Sequence, residues 1–434
     1  MRGWKTLPVL LVLLVLLFTA STSFAAGFRL PEAGAKAMGM GFAFTAQADD
    51  PSAIYFNPAG LTQLKGNNIM LGATYLRLSD AEFTGVTPLT GGASRSESQN
   101  SLDFIIPNAY YTKTTADGYI SYGVGIFSPF GLGQEYKDKN TSIFRNQITK
   151  IDLMTVVVNP TIAFKINEFL SVGAGIDWMY GKAMLEKTPV GPGAVGNLYN
   201  SKLKGDGDTW GYNFGVLLKP TENFRIGANY RSPFTLEIKN ADVNIGNPNP
   251  LYGVAPALGT PPPSTTKGSA TVKMPATFAL GAAYTMGKLT VEVDADWTFW
   301  HSFNNLPITI QNPVPTLPST ENPTQWEDVV AFRLGVEYRV TDPLSLRAGF
   351  VYDPTPVPAS TMSPLLPDSI KLDYMLGAGY KIGAWTIDVA GMYIDKKDRT
   401  VSNIRVEGTN PVGQNGTWSG GSAWLASMDV GYKF

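Results

Sequence analysis

Cysteine is absent from the 434 residues, and histidine occurs once, at position 301. The first absence removes disulfides, thiolate nucleophiles and cysteine-based metal sites, and suits a chain exported through an oxidising compartment without covalent staples. The second leaves a single imidazole for acid–base chemistry. An excess of charge of one sign is missing too: 34 Lys and Arg stand against 35 Asp and Glu, a net charge of −1. No basic field therefore draws this chain to nucleic acid. Past the first twenty or so residues no stretch reaches the roughly 18 consecutive apolar residues of a membrane-spanning helix, which excludes helical spans but leaves a membrane β-barrel open.

What the chain does contain begins with an export signal. Arg2 and Lys5 form a positive start, Leu7 to Phe18 an apolar run, and Ser23-Phe24-Ala25 a small-x-small cleavage site. The apolar run is about 12 residues, short of the roughly 20 that span a bilayer as a helix. The expected organisation is therefore a signal peptide over residues 1–25, with the mature chain starting at Ala26.

Beyond it, segments of about 10 residues alternate apolar and polar side chains with period 2, as a strand does when one face meets lipid and the other a polar lumen. In the last segment Trp424, Ala426, Met428, Val430, Tyr432 and Phe434 point one way, and Ser427, Asp429, Gly431 and Lys433 the other. Aromatic residues stand at both ends of the apolar face, where the two membrane interfaces fall. About fourteen such segments are expected, near 69–78, 102–113, 119–127, 152–166, 170–185, 208–219 and 224–239, then 269–285, 288–299, 329–339, 344–353, 372–382, 385–395 and 424–434. A soluble sandwich could alternate too, but it has no use for aromatic ends on nearly every strand.

The connections alternate between tight turns, such as Met286–Gly287 and Gly383–Ala384, and longer stretches rich in Pro, Gly, Asn, Ser and Thr, such as 240–267 and 304–325. Outer-membrane barrels connect strands in this way, with short turns in the periplasm and long loops outside. The region 26–66 lacks alternation yet is apolar, with Phe28, Leu30, Met38, Phe42, Phe44, Ile54, Tyr55 and Phe56 needing burial. In a barrel over 67–434 the lumen is the enclosure available, so 26–66 is expected to plug it. Within the plug, Asn57-Pro58-Ala59-Gly60 reads as a helix start, with Asn as N-cap and Pro where no N–H is needed.

On these residues the chain resembles the FadL family of outer-membrane long-chain fatty acid transporters, which includes channels for aromatic hydrocarbons. The resemblance rests on Ala26-Gly27-Phe28-Arg29-Leu30, on Asn57-Pro58-Ala59-Gly60 and on Gly123 to Gly133. Further blocks are Leu203-Lys204-Gly205-Asp206-Gly207, Met274-Pro275-Ala276-Thr277-Phe278, Asp296-Trp297-Thr298-Phe299-Trp300, and Leu346 through Asp353 to Asp368. It implies an all-β, antiparallel fourteen-stranded transmembrane barrel closed by an N-terminal hatch. It also implies uptake of a hydrophobic ligand, a long-chain fatty acid or else an aromatic or alkane hydrocarbon, captured outside, held in an internal pocket and released sideways into lipid. Partners implied are the ligand, outer-membrane lipid and the barrel assembly machinery, with no cofactor or metal. A closed sheet has no free edge and can stand as a monomer.

For individual residues, the resemblance implies a ligand or gating contact at Phe28, against the simpler role of plug packing, and a basic ligand contact at Lys182, against a solvated lysine. Arg333 and Arg347 face the lumen by parity and either meet the ligand or pair with carboxylates such as Glu337 and Asp353. Pro129 removes a ladder donor in Ser128-Pro129-Phe130-Gly131. That ends a strand or kinks it, and the resemblance at Gly131 points to a kink at the lateral exit. Catalysis is not expected: His301 and Ser302 are adjacent and so point apart on a strand, and no G-x-S-x-G occurs. Gly205-Asp206-Gly207-Asp208 lacks the distributed oxygen ligands of a calcium loop. A general porin is disfavoured by the apolar plug, and an adhesive barrel needs none.

Overall fold

A computed structural model describes residues 27–191, 196–250, 262–311, 313, 319–404 and 414–434. The leader and Ala26, where cleavage is expected, lie outside them. In chain order the strands are β1 (Asn67–Leu78), β2 (Ala81–Val86), β3 (Arg95–Ser98), β4 (Leu102–Thr114), β5 (Ile120–Phe127), β6 (Gly131–Glu135) and β7 (Lys150–Lys165). Next come β8 (Leu170–Lys187), β9 (Asn200–Thr221), β10 (Phe224–Arg231), β11 (Phe234–Gly246), β12 (Thr265–Met274), β13 (Thr277–Met286), β14 (Leu289–Thr298) and β15 (Ile308–Ile310). The last are β16 (Val329–Arg339), β17 (Leu344–Asp353), β18 (Lys371–Ile382), β19 (Trp385–Lys396), β20 (Arg399–Ile404), β21 (Gln414–Gly420) and β22 (Ala423–Lys433).

Eighteen of these strands form one antiparallel sheet that closes on itself where β1 pairs with β22, from Asn68↔Lys433 to Leu78↔Ala423. The pairs β5/β6, β10/β11, β12/β13 and β14/β15 each make a single interrupted stave, so the wall has fourteen staves. Alternation places Leu71, Ile105, Leu376 and Trp424 on the exposed outer face, while Glu292, Asp294, Asp296, Arg347 and Asp429 are buried inward. This is the reverse of a soluble core, as lipid outside and a packed polar lumen require.

Two expected strands are interrupted, and the one expected at 208–219 starts earlier, at Asn200. Segments 224–239 and 269–285 are each broken, at Ser232-Pro233 and at Pro275-Ala276, because proline cannot donate to the ladder. The breaks face each other, between the pairs Arg231↔Thr277 and Phe234↔Met274. Beyond its break β11 continues to Gly246, so the expected loop from 240 is partly strand. Outside the barrel, β20, β21, β2 and β3 form a separate four-stranded sheet, with Phe83 and Trp418 packed on Phe144.

Inside the wall lie short helices at Ala35–Gly39 and Ala53–Phe56 and a 3-10 helix at Pro58–Gln63. The apolar hatch residues Met38, Phe42, Phe44, Ile54, Tyr55 and Phe56, on these helices and the turns between them, are buried in the main core. Close approach is possible because the wall offers glycine where it meets them. A Cβ on Gly173 would lie 2.6 Å from the Pro58 carbonyl carbon, one on Gly349 2.5 Å from the Gly41 Cα, and one on Gly377 2.9 Å from the Gly39 Cα. Wall carboxylates then take the hatch's free backbone donors. Ala46 and Gln47 N–H donate to Glu292 (2.6 and 2.8 Å), and Phe44 and Thr45 N–H to Asp294 (3.1 and 3.0 Å). Ala35 N–H donates to Asp429 at 2.5 Å.

Candidate functional site

The site assembles where the start of the hatch meets the interrupted staves. β5 stops at Phe127 and β6 resumes at Gly131. Across this break the hatch supplies a partner: Leu30 N–H donates to Pro129 C=O (2.9 Å) and Gly131 N–H donates to Phe28 C=O (3.0 Å). A Cβ on Gly131 would lie 2.7 Å from Leu30 Cδ1, so any larger residue there makes the Leu30 side chain move. On its other side β6 pairs with β7, while β4 is laddered to β5 only from Ala109 onward. Among the described residues no ladder therefore joins β4 residues 102–108 to β6, and the ring of Phe104 covers Gly133 in the gap. Asn100 N–H to Glu135 C=O (2.7 Å) closes its outer end.

Phe28 is buried in an aromatic cage. Its ring centroid is 4.8 Å from Trp300, 5.3 Å from Phe303, 5.8 Å from Trp326 and 6.0 Å from Phe130. The angles are tilted or edge-on, the arrangement aromatic quadrupoles favour. Three separated stretches supply the cage: the stave break at 128–130, the turn after β14, and the approach to β16. Sequence reading singled out Phe28 and Phe130 but not Phe303 or Trp326. Both lie in irregular chain, where no period marks which side chains converge.

Beside the cage a narrow cleft of about 20 Å³, room for about one water, is lined by Arg29, Tyr55, Phe130, Arg231, Asp296 and Arg333, among others. Arg29 and Arg333 share one carboxylate, with Arg29 Nη1 2.8 Å from Asp296 Oδ1 and Arg333 Nη2 2.7 Å from Oδ2. Arg333 also donates to Phe42 C=O at 3.2 Å. Arg231 pairs with Asp177 at 2.5 Å and lies over the rings of Tyr55 and Phe127. Burial pushes the nearby hatch carboxyl of Glu32 up to about 7, so at neutral pH it offsets the arginines only in part. Two guanidinium groups thus meet on one carboxylate, with Glu32 and Asp353 also in electrostatic reach of both.

The other expected residues lie elsewhere. Arg347 bridges Glu337 (2.7 Å) and Asp388 (2.6 Å) nearer the tight-turn end of the barrel, in a network that also holds Lys36 of the hatch against Asp49 (2.7 Å). Lys182 does not face the lumen. It is exposed on the outer face, 5.6 Å from the Tyr180 ring centroid, while Met179 and Gly181 point inward. Its parity with Trp178 and Tyr180 is the signal that places it outside. In Asn57-Pro58-Ala59-Gly60 the Asn57 side chain accepts from Ala59 N–H (3.1 Å) and donates to Thr45 C=O (2.7 Å) and Val216 C=O (3.0 Å). It thus caps the 3-10 helix and ties it to the wall. His301 pairs with Asp328 (2.7 Å), and the Ser302 hydroxyl donates to Phe299 C=O, so the two form no nucleophile–base couple. Among the described residues no cluster of metal-ligating side chains occurs.

Residues 16–434 match the sequence profile of the outer membrane protein transport protein family (OMPP1/FadL/TodX). The chain belongs to this family. A long-chain fatty acid transport protein of Escherichia coli O6:H1 is 27% identical over 457 residues, covering 99% of each chain. Outer membrane protein P1 of Haemophilus influenzae is 24% identical, covering 91% of each. Among solved structures, a Pseudomonas aeruginosa FadL homologue superposes with a TM-score of 0.82 at 22% identity, covering 94% of this chain and all of that one. The Pseudomonas putida toluene transporter TodX gives 0.68 at 18%, covering 94% and 99%. These likenesses confirm the fourteen-staved barrel. This FadL/TodX-family protein is an outer-membrane transporter of hydrophobic compounds, and not an enzyme.

Proposed function

We propose that the protein takes up long-chain fatty acids, binding the carboxylate between Arg29 and Arg333 and the first part of the chain against the Phe28 cage. Release then runs sideways at Pro129-Phe130-Gly131. The observation that carries this reading is the Asp296 carboxylate shared by two arginines at 2.8 and 2.7 Å, directly beside a cage of four buried aromatic rings. A fatty acid has both halves of that chemistry. Sideways release also keeps it out of water, which favours the route by about 0.8 kcal/mol for each CH₂ kept buried. Phe28 and Arg29 belong to the same stretch that bridges the stave break, so a ligand that draws Arg29 from Asp296 also pulls on Leu30 and the gate.

Arg29→Gln or Arg333→Gln is expected to weaken fatty acid binding to the purified barrel by about 10- to 100-fold, as loss of a charged hydrogen bond implies. Binding of a neutral hydrocarbon of similar length stays within a few-fold, as read by fluorescence displacement. An equal loss for both ligands would assign the arginines to hatch packing alone. A wild-type barrel that binds toluene-like compounds as tightly as fatty acids would favour the second reading, uptake of aromatic hydrocarbons, for which the uncharged cage suffices. Arg347, held by two carboxylates, and Lys182, on the outer face, stand outside the proposed head-group site.

Export completes the reading. The leader is cleaved after Ala25, the barrel assembly machinery inserts the chain, and the edge-free barrel stands as a monomer. Intact-mass measurement of the membrane-extracted protein is expected to give a chain starting at Ala26, and a retained leader would refute it.

A further inference from the structure

The stave formed by β10 and β11 does not stay in the wall. β10 is laddered to β9 up to Arg231↔Asn213, and β11 again from Asp242↔Lys204. Among the described residues no ladder joins β9 and β11 between these points. Ten residues of one stave face eight of the other, with a bulge after Ile238 and Asn240 at φ 55.

The surplus is bowed into the lumen. Leu236 Cδ2 lies 2.5 Å from where a Cβ would stand on Gly181 of β8. In a flat ladder β9 would separate them, with two strand spacings of about 4.8 Å each in between. The Glu237 carbonyl covers the inward side of Gly207, the cross-strand partner of Gly181. Ile238 lies 2.5 Å from the Cβ position of Gly205, and Phe234 2.5 Å from that of Gly211. A row of inward-facing glycines thus makes the seat for the bow. Behind it, a hollow of about 430 Å³ remains on the outer side, lined by Asp206, Asp208, Thr235, Glu237 and Lys239.

The inner end of the bow reaches the gate. Phe234 meets Phe130 edge-on at 6.3 Å, and Phe130 is the ring at the stave break that also touches Phe28. Phe234, Leu236 and Ile238, all fully buried, therefore form an apolar row leading from the outer end of the barrel to the gate.

We infer that the bowed segment 234–241 is a girth filter, in which Leu236 and Ile238 narrow the ligand path above Phe130 and admit a linear chain in preference to a fused-ring hydrocarbon. The inference rests on the transport reading. It is tested by protein-dependent uptake of palmitate and pyrene into cells bearing matched amounts of heat-modifiable barrel. Leu236→Ala is expected to raise the pyrene-to-palmitate ratio about 10-fold, the discrimination that a small volume change in an apolar pocket supplies. Ile238→Val, which removes one carbon and keeps the barrel intact, shifts the ratio the same way by less, and Leu236→Met leaves it unchanged. Inserted Leu236→Ala or Ile238→Val barrels with the wild-type ratio would overturn the filter while leaving transport standing. If the wild-type protein speeds neither probe, the transport reading fails and the filter with it.

Discussion

Replacing Glu292 and Asp294 together by alanine is expected to turn a closed barrel into an ion-conducting one. Glu292 accepts two hatch N–H groups at 2.6 and 2.8 Å, and Asp294 two more at 3.1 and 3.0 Å. Phe44, Thr45, Ala46 and Gln47 lie in irregular backbone between the helices, and these four donors depend on the wall for acceptors. Leaving four buried N–H groups unmatched costs about 1–3 kcal/mol each, roughly 4–12 kcal/mol in all, unless the segment moves out to water. Movement is the easier course, and it vacates a lumen lined with charged side chains. In planar bilayers the wild type should be electrically silent and the double variant should show long-lived openings. Asp429→Ala, which removes a single bond to Ala35, should show brief ones. A double variant as silent as the wild type would mean that packing on the wall glycines alone holds the hatch.

Gly131→Trp is expected to reduce uptake to the level of cells lacking the protein while the barrel still inserts. Even a Cβ at 131 meets Leu30 at 2.7 Å. An indole there must either push Leu30 away or lie in the gap between β4 and β6, and both outcomes place a bulky ring in the exit. The barrel survives because β7 remains laddered to β5 and β8, with β6 adding only a short pairing from Gly131↔Met154 to Glu135↔Lys150. The measurement is uptake of labelled fatty acid at matched surface amounts of heat-modifiable protein. Wild-type uptake by a correctly inserted variant would remove the lateral exit from the proposal. Gly131→Ala, whose single methyl group needs only a rotamer change at Leu30, should fall between the two.

The barrel was legible because its signals are local. A strand alternates with period 2 whatever it pairs with, and a tight turn is set by a few residues such as Met286-Gly287. Where local signals conflicted with a long strand, proline marked the place, although 224–239 and 269–285 read as continuous until Pro233 and Pro275 are weighed as missing donors. The plug was legible from unmet apolar residues in 26–66. Lys182 shows the reverse case: family position suggested the pocket, while strand parity with Trp178 and Tyr180 already placed it outside.

A two-faced sheet of about fourteen staves, its alternating short and long connections and the need to bury its own beginning are written along the chain, since each follows from neighbours a few residues apart. Folding alone brings Arg29 and Arg333 together on Asp296, 267 residues from the first of them, and closes Phe303 and Trp326 on Phe28. It also lifts β11 from the wall to lie over glycines of β8 and β9. Those contacts depend on how a closed sheet curves and on how the chain within it is threaded. No periodicity along the chain encodes distances across a lumen.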